Sequence, residues 1–154
     1  MSGKVLALDL EGTLVSNAVS CLPRPGLHAF LAWCFASFER VVLFTYVNPA
    51  RARWVIQELA AHGEIPPETP ARLEVFAWPY QELEFKDLGM IPGAAVEDCY
   101  LVDDNEGFVL PEQKHRWIEI AEWERPYPGA DRELERVRRV LERRLARVRA
   151  GTES

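Results

Sequence analysis

Cysteine is scarce in this sequence: Cys21, Cys34 and Cys99 are the only three in 154 residues, and no two are spaced as CxxC. The odd, scattered set excludes a secreted disulfide framework. Long hydrophobic runs are missing too. The longest candidate, Ala29 to Phe38, is about half of the ~18 residues that a membrane-crossing helix needs. Lys4 is followed by only four apolar residues before Asp9, against roughly 7–15 in the apolar region of a secretory leader. No membrane association and a cytoplasmic location are therefore expected. Glycine (nine) and proline (eleven) are too few for a collagen-like or low-complexity chain. With 48% hydrophobic and 27% charged residues, the composition is that of one ordered globular domain, long enough to close a core without disulfides. Histidine is limited to three: His115 is read as a turn residue, His28 and His62 as ordinary helix residues.

The net charge of -6 is unevenly placed. Residues 1–130 carry 10 basic and 19 acidic side chains, whereas residues 131–150 carry eight Arg against Asp131, Glu133, Glu135 and Glu142. A basic helix can face nucleic acid or an acidic partner. Here Leu134, Val137, Leu141, Leu145 and Val148 recur at helical spacing, which favours an amphipathic helix that docks by its apolar stripe and leaves its arginines in water. Glu135 and Arg139 are spaced for an i,i+4 pair.

Strand and helix signals alternate along the chain. Lys4–Leu10 is a continuous apolar run, as in strands buried on both faces of a parallel sheet. Pro25 is expected to open a helix with Leu27, Phe30, Leu31, Cys34 and Phe38 on one face. Val41–Thr45 reads as a second buried strand. Asn48 and Pro49 read as the cap and first residue of a helix that ends at Gly63. Pro66, Pro67 and Pro70 form a turn before a short strand around Leu73–Ala77. The segment from Tyr80 to Met90 is ambiguous, with a helical turn around Lys86. Cys99–Asp103 is a third buried strand, Arg116–Ile120 a fourth, and the amphipathic helix follows from about Asp131. Repeated βα units imply an α/β fold, a three-layer Rossmann-like sandwich with a central parallel sheet. Residues 64–85 make at most a short insert or flap.

In such sheets the ligand crevice lies outside the carboxyl ends of the strands. Those ends carry Asp9-Leu-Glu11-Gly-Thr13, Thr45 and Asp103-Asp104, with Lys86 between the last two. Alone, each has an ordinary structural use: a cap, a β-branched strand residue, a surface lysine, a turn. Together they put four carboxylates at one crevice, where like charges require compensation. Mg²⁺ held by carboxylate oxygens supplies it where a phosphate completes the shell. Gly12 permits a tight turn whose amides are expected to face an anion. Thr45 and Lys86 suit phosphate oxygens.

The ordered set resembles the haloacid dehalogenase superfamily: a strand ending DxDxT (Asp9 to Thr13), a strand ending in Thr (Val41 to Thr45), a Lys (Lys86) and a strand ending in an acidic pair (Leu101 to Asp104). Phe44-Thr45, Phe85-Lys86-Asp87-Leu88 and Val102-Asp103-Asp104-Asn105 followed by Phe108-Val109 resemble the small C-terminal-domain phosphatases of the NLI-interacting-factor group. The resemblance spans roughly Lys4 to Arg144. It implies a Mg²⁺-dependent phosphatase in which Asp9 attacks phosphorus and Glu11 is the general acid and base. Thr45 and Lys86 would hold the phosphoryl group, and the metal would be held by Asp9, the Glu11 carbonyl, Asp104 and Asp103. The family usually has Asp where this chain has Glu11, one methylene longer; the enolase-phosphatase branch also has Glu there.

Members acting on small metabolites commonly carry a cap domain. The short spans Leu14–Leu22 and 64–85 leave no room for one, so a capless, open site and a bulky phosphorylated substrate, a phosphoprotein first, are expected. Competing readings are a nucleic-acid-end phosphatase using the arginine-rich helix, a catalytically weak binding module that keeps the motifs, and a signalling receiver domain. The last should carry its acid pair near the N-terminus and its Lys last, the reverse of the order here. Trp123 and Tyr127 either rim the crevice or pack on the last helix, and Cys99 belongs to the core.

Overall fold

The computed structural model describes residues 3–77, 79 and 83–151. Five strands form one parallel sheet: β1 (Val5–Leu8), β2 (Arg40–Thr45), β3 (Leu73–Ala77), β4 (Cys99–Asp103) and β5 (Trp117–Glu119), in the order β3-β2-β1-β4-β5. Among the described residues four α-helices accompany it: α1 (Leu27–Ser37), α2 (Pro49–Ala61), the single turn α3 (Thr69–Arg72) and α4 (Glu133–Arg149). The chain builds outward from β1 to β3 on one side, then returns to β1's other edge for β4 and β5. The reversal leaves a crevice beside the carboxyl end of β1, where α/β sheets take their ligands.

Alternation along β1 shows why its sequence is apolar throughout. Leu6 and Leu8 face a core shared with α1, α2 and α4, while Val5 and Ala7 face a second core with Val42, Phe44, Leu88, Ile91, Leu101 and Val109. That second face is covered by 3₁₀ turns at Leu88–Met90, Val96–Asp98, Glu106–Phe108 and Pro111–Arg116 rather than by α-helices. Pro92, Gly93 and Pro111 fall in these crossovers, and proline and glycine disfavour a continuous helix.

Most boundaries follow local chemistry. Asn48 caps α2, its Oδ1 accepting from the Ala50 amide at 2.9 Å, and Gly63 ends it with φ 72°. The helix expected at Pro25 begins two residues later, because Gly26 holds a left-handed conformation with φ 83° and turns the chain first. One turn of helix, α3, stands where the proline cluster predicted only a turn. β5 is shorter than Arg116–Ile120: Arg116 closes the preceding 3₁₀ turn and its buried Nε donates to the Cys99 carbonyl at 2.8 Å. Of the ambiguous segment, residues 80–82 lie outside the described residues. Lys86 sits in an isolated bridge with Val109. Residues 73–77 of the expected 64–85 insert form the edge strand β3.

Leu134, Val137, Leu141 and Leu145 are the buried stripe of α4. Glu135 pairs with Arg132 at 3.4 Å rather than with Arg139, and the i,i+4 pair of this helix is Arg138 with Glu142 at 2.7 Å. Both choices stay on the solvent side, where such pairs contribute little. No helix among the described residues is long and apolar enough to cross a membrane.

Candidate active site

β1 ends at Leu8, but the sheet still grips the next residue, the Asp9 amide donating to the Val102 carbonyl at 3.0 Å. The chain then turns sharply, with Leu14 and Val15 amides donating back to the Leu10 carbonyl at 2.9 and 3.2 Å. Gly12 makes the turn at φ 73°, and a Cβ there would lie 3.0 Å from both Asp104 Oδ2 and Glu122 Cγ. Only glycine meets both demands. The Gly12 amide donates to the Val15 carbonyl at 2.8 Å. It is therefore committed to the turn, so any anion facing this loop would meet its other amides.

Asp9 and the acidic pair converge from neighbouring strand ends. Lys86 Nζ donates to Asp9 Oδ1 at 3.0 Å and to Asp103 Oδ2 at 2.6 Å. Thr13 Oγ1 lies 2.8 Å from Asp9 Oδ2, to which it donates, and 3.3 Å from Asp104 Oδ1. The other Asp103 oxygen accepts from the Asn105 amide at 2.9 Å. Oxygens of Asp9, Asp103 and Asp104 lie within 4.8 Å of one another. Three carboxylates around one ammonium leave two negative charges in excess in a buried place. Burial, only partly opposed by Lys86, pushes Asp9 up from 3.8 to about 7. Burial and the Asp9 charge push Asp103 up to about 6, and burial raises Asp104 as well. Burial works against the Lys86 ammonium, yet Asp9 and Asp103 more than offset it and hold its proton more tightly than usual. A site of hard oxygen donors carrying this excess charge fits a divalent cation.

Glu11 stands apart from that cluster. Its Oε2 accepts from the Ala18 amide at 2.6 Å and its Oε1 from the Tyr46 hydroxyl at 3.0 Å, so the carboxylate forms part of the crevice wall. Thr45 is buried at the end of β2, its hydroxyl oxygen accepting from the Val47 amide at 3.0 Å. Extending the Leu8–Leu43 register puts Thr45 one residue beyond the level of Asp9. The structure thus joins Asp9, Lys86, Asp103 and Asp104 by direct contact, with Glu11 and Thr45 on flanking elements.

The crevice has a volume of about 510 Å³, and its lining adds Ser16, Asn17, Tyr46 and Glu122 to the residues that the motifs name. Burial, with the neighbouring Glu124 carboxylate, raises Glu122 from its ordinary value. Tyr46 directly follows Thr45, so its nearness to a motif was the one available signal. Glu122 arrives from the segment after β5, and nothing local marks it. A larger depression of about 740 Å³ lies between α1 and α4, lined by Trp33, Arg139 and Arg143 among others, and holds none of the motif residues.

A family model for NLI interacting factor-like phosphatases matches residues 4–151. The chain belongs to this family. It is accordingly a member of a phosphatase family, and the matched span contains the whole carboxylate crevice. No curated protein matches the chain.

In this phosphatase-family chain the turn that presents Asp9 is held from beneath. Arg24, wholly buried, donates to the Gly12, Thr13 and Ala121 carbonyls at 3.1, 3.2 and 2.7 Å and forms a two-point pair with Asp131 at 2.8 and 3.0 Å. The Trp123 amide donates to the Gly12 carbonyl at 2.8 Å. Trp123 therefore supports the floor of the site, with the Tyr127 ring tilted against it at 5.1 Å and the Tyr127 hydroxyl 3.5 Å from Asn17 Nδ2.

Proposed function

We propose that the protein is a Mg²⁺-dependent phosphomonoesterase of the haloacid dehalogenase type that works through a phospho-aspartate on Asp9 and acts on phosphorylated protein segments. The observation that carries this reading is the Asp9–Lys86–Asp103 contact beside Asp104 at the reversal point of the sheet. Asp104, with Asp9, Asp103 and the Glu11 carbonyl, would hold the metal, which would favour ionised Asp9 and offset phosphate charge. Asp104 suits the direct contact because Asp9 and Asp103 already use both oxygens on protein donors.

In the first step an Asp9 oxygen forms a bond to phosphorus as the bond to the leaving oxygen breaks, and Glu11 gives that oxygen its proton. In the second, Glu11 takes a proton from water, whose oxygen bonds to phosphorus. The acyl–phosphate bond breaks, releasing phosphate and restoring Asp9. Lys86 and Thr45 offset and orient the transferring group, the main contribution a protein makes to phosphoryl transfer.

Two features favour a protein substrate over a nucleic-acid end. The crevice lining is acidic, with Glu11, Asp104 and Glu122, which repels a polyanion. The arginine-lined depression lies near the end of α1, whose chain leads directly into the start of β2, and so sits at the amino end of the sheet, away from the crevice. A free small metabolite would find no cap among the described residues to grip it, so binding energy would come from the chain around the phosphate.

The test compares kcat/KM for phosphoserine and phosphothreonine peptides, the free phosphoamino acids and 3′-phosphorylated DNA, with Mg²⁺ and with EDTA. Metal-dependent turnover, highest on peptides and lost in Asp9→Asn, is expected. Turnover by pure Asp9→Asn near the wild-type rate would refute the nucleophile, and preference for a free metabolite would refute the substrate class. Absence of metal-dependent turnover on every substrate would leave the binding-module reading.

A further inference from the structure

We propose that Tyr46 is a positioning residue for proton transfer, its hydroxyl working with the Ala18 amide to hold the Glu11 carboxylate toward the leaving oxygen. The proposal rests on the phosphatase reading above. A glutamate side chain has one more rotatable bond than aspartate, and a misplacement of about 1 Å costs on the order of 10²-fold in rate. The extra methylene at Glu11 thus needs an external restraint. The structure supplies two, one on each oxygen: Tyr46 at 3.0 Å on Oε1 and Ala18 at 2.6 Å on Oε2. Donors on both oxygens fix the carboxylate's position and its plane.

The restraints are themselves anchored. Tyr46 leaves β2 directly after Thr45, and its ring meets Phe108 edge-on at 6.2 Å across the crevice. Phe108 in turn lies 5.5 Å from Lys86 Nζ. On the other side, Arg51 of α2 donates to the Ala18 carbonyl at 2.7 Å while stacking on Trp54 at 4.2 Å. Ala18 is therefore held through its carbonyl while its amide holds Glu11. When Glu11 gives its proton to the leaving oxygen, the resulting carboxylate accepts the Tyr46 O–H. That hydrogen bond strengthens as charge develops, so its benefit depends on how much proton transfer the leaving group requires.

The discriminating quantity is the ratio of kcat/KM for p-nitrophenyl phosphate to that for a phosphoserine peptide, since kcat/KM reads only as far as phosphoryl transfer to the enzyme. The aryl group leaves without protonation and the serine alkoxide does not. In Tyr46→Phe, which keeps the ring, this ratio should rise about ten-fold, as expected for loss of one hydrogen bond to a charged group. In a Glu11→Gln background, Tyr46→Phe should leave the ratio unchanged, and in Glu11→Asp, whose shorter side chain falls short of the hydroxyl, the response should be weaker. An active wild type with an unaltered ratio in Tyr46→Phe, or additive effects in the double variant, would overturn this proposal alone. A wild type inert on both substrates would remove the phosphatase reading and this one with it.

Discussion

Asparagine in place of Asp9 is expected to stabilise the metal-free protein at neutral pH while destroying its chemistry. Asp9 titrates at about 7 in the fold, against 3.8 unperturbed. Below pH 3.8 the carboxyl is protonated whether folded or not, and it contributes no pH-dependent penalty. Between 3.8 and about 7 folding takes up a proton, so stability falls as pH rises, and above 7 the full cost of a buried, under-compensated charge is present. At about 1.4 kcal/mol per tenfold change in proton affinity, that cost comes to about 4 kcal/mol. The neutral amide of Asp9→Asn avoids it but removes one of the two carboxylates on Lys86, so a gain of about 2–4 kcal/mol is expected near pH 7.5. For a chain of this size that corresponds to a rise in Tm of about 5–15 °C. The measurement is thermal unfolding of both proteins in EDTA from about pH 4 to 8, repeated with saturating Mg²⁺. The difference should vanish near pH 4 and grow through about pH 7; on the proposed reading, in which Mg²⁺ would bind the wild type better, it should shrink or reverse with Mg²⁺. An Asp9→Asn variant no more stable than wild type at about pH 7.5 in EDTA would refute the excess-charge argument. So would a difference that is the same at every pH.

Glu11→Gln is expected to lower kcat/KM on phosphoserine peptides far more than on p-nitrophenyl phosphate. Equal losses would mean that Glu11 only shapes the metal loop. Asp131→Asn leaves the wholly buried Arg24 guanidinium without its counter-charge and is expected to cost about 3 kcal/mol, seen in urea or thermal unfolding. A loss below about 1 kcal/mol would mean that the three backbone carbonyls suffice to hold the cation.

What was legible in the sequence follows from how local each signal is. β1, β2 and β4 are buried on both faces, so they read as unbroken apolar runs, and their catalytic-type residues stand where those runs stop. Lys86 lacked such a frame: its segment has no period, and its place comes from the bridge to Val109. Its identity was legible through its order among the other motifs and through the family-like stretch Phe85-Lys86-Asp87-Leu88. Glu122 and Arg24 gave no signal because each acts through tertiary neighbours, Glu122 through the adjacency of β5 and β4, Arg24 through Asp131 over a hundred residues away. The Gly12 turn was legible as a turn, but the pairing of its buried N–H with the Val15 carbonyl was not, because the acceptor is supplied by the folded path of the turn. Glu135 chose Arg132 over Arg139, a choice between flexible surface side chains that spacing alone does not decide.

The arginine-rich helix connects to the site through its acidic start rather than its basic face. Asp131, just ahead of α4, pairs with Arg24. Glu133 in its first turn accepts from the Ala121 amide at 2.9 Å, and Arg136 donates to the Glu119 carbonyl at 2.7 Å. These contacts tie the helix to the end of β5 and, through Ala121 and Trp123, to the underside of the Gly12 turn. The Gly12 carbonyl accepts from both Arg24 Nη1 and the Trp123 amide, which holds the glycine in its left-handed conformation without any help from the crevice side. On the proposed reading, a nucleophile that must meet phosphorus in line would depend on such a frame, because metal and phosphate would reach Asp9 only from the solvent side. The apolar stripe of α4 anchors the frame to the core, and the arginines beyond it keep the helix solvated.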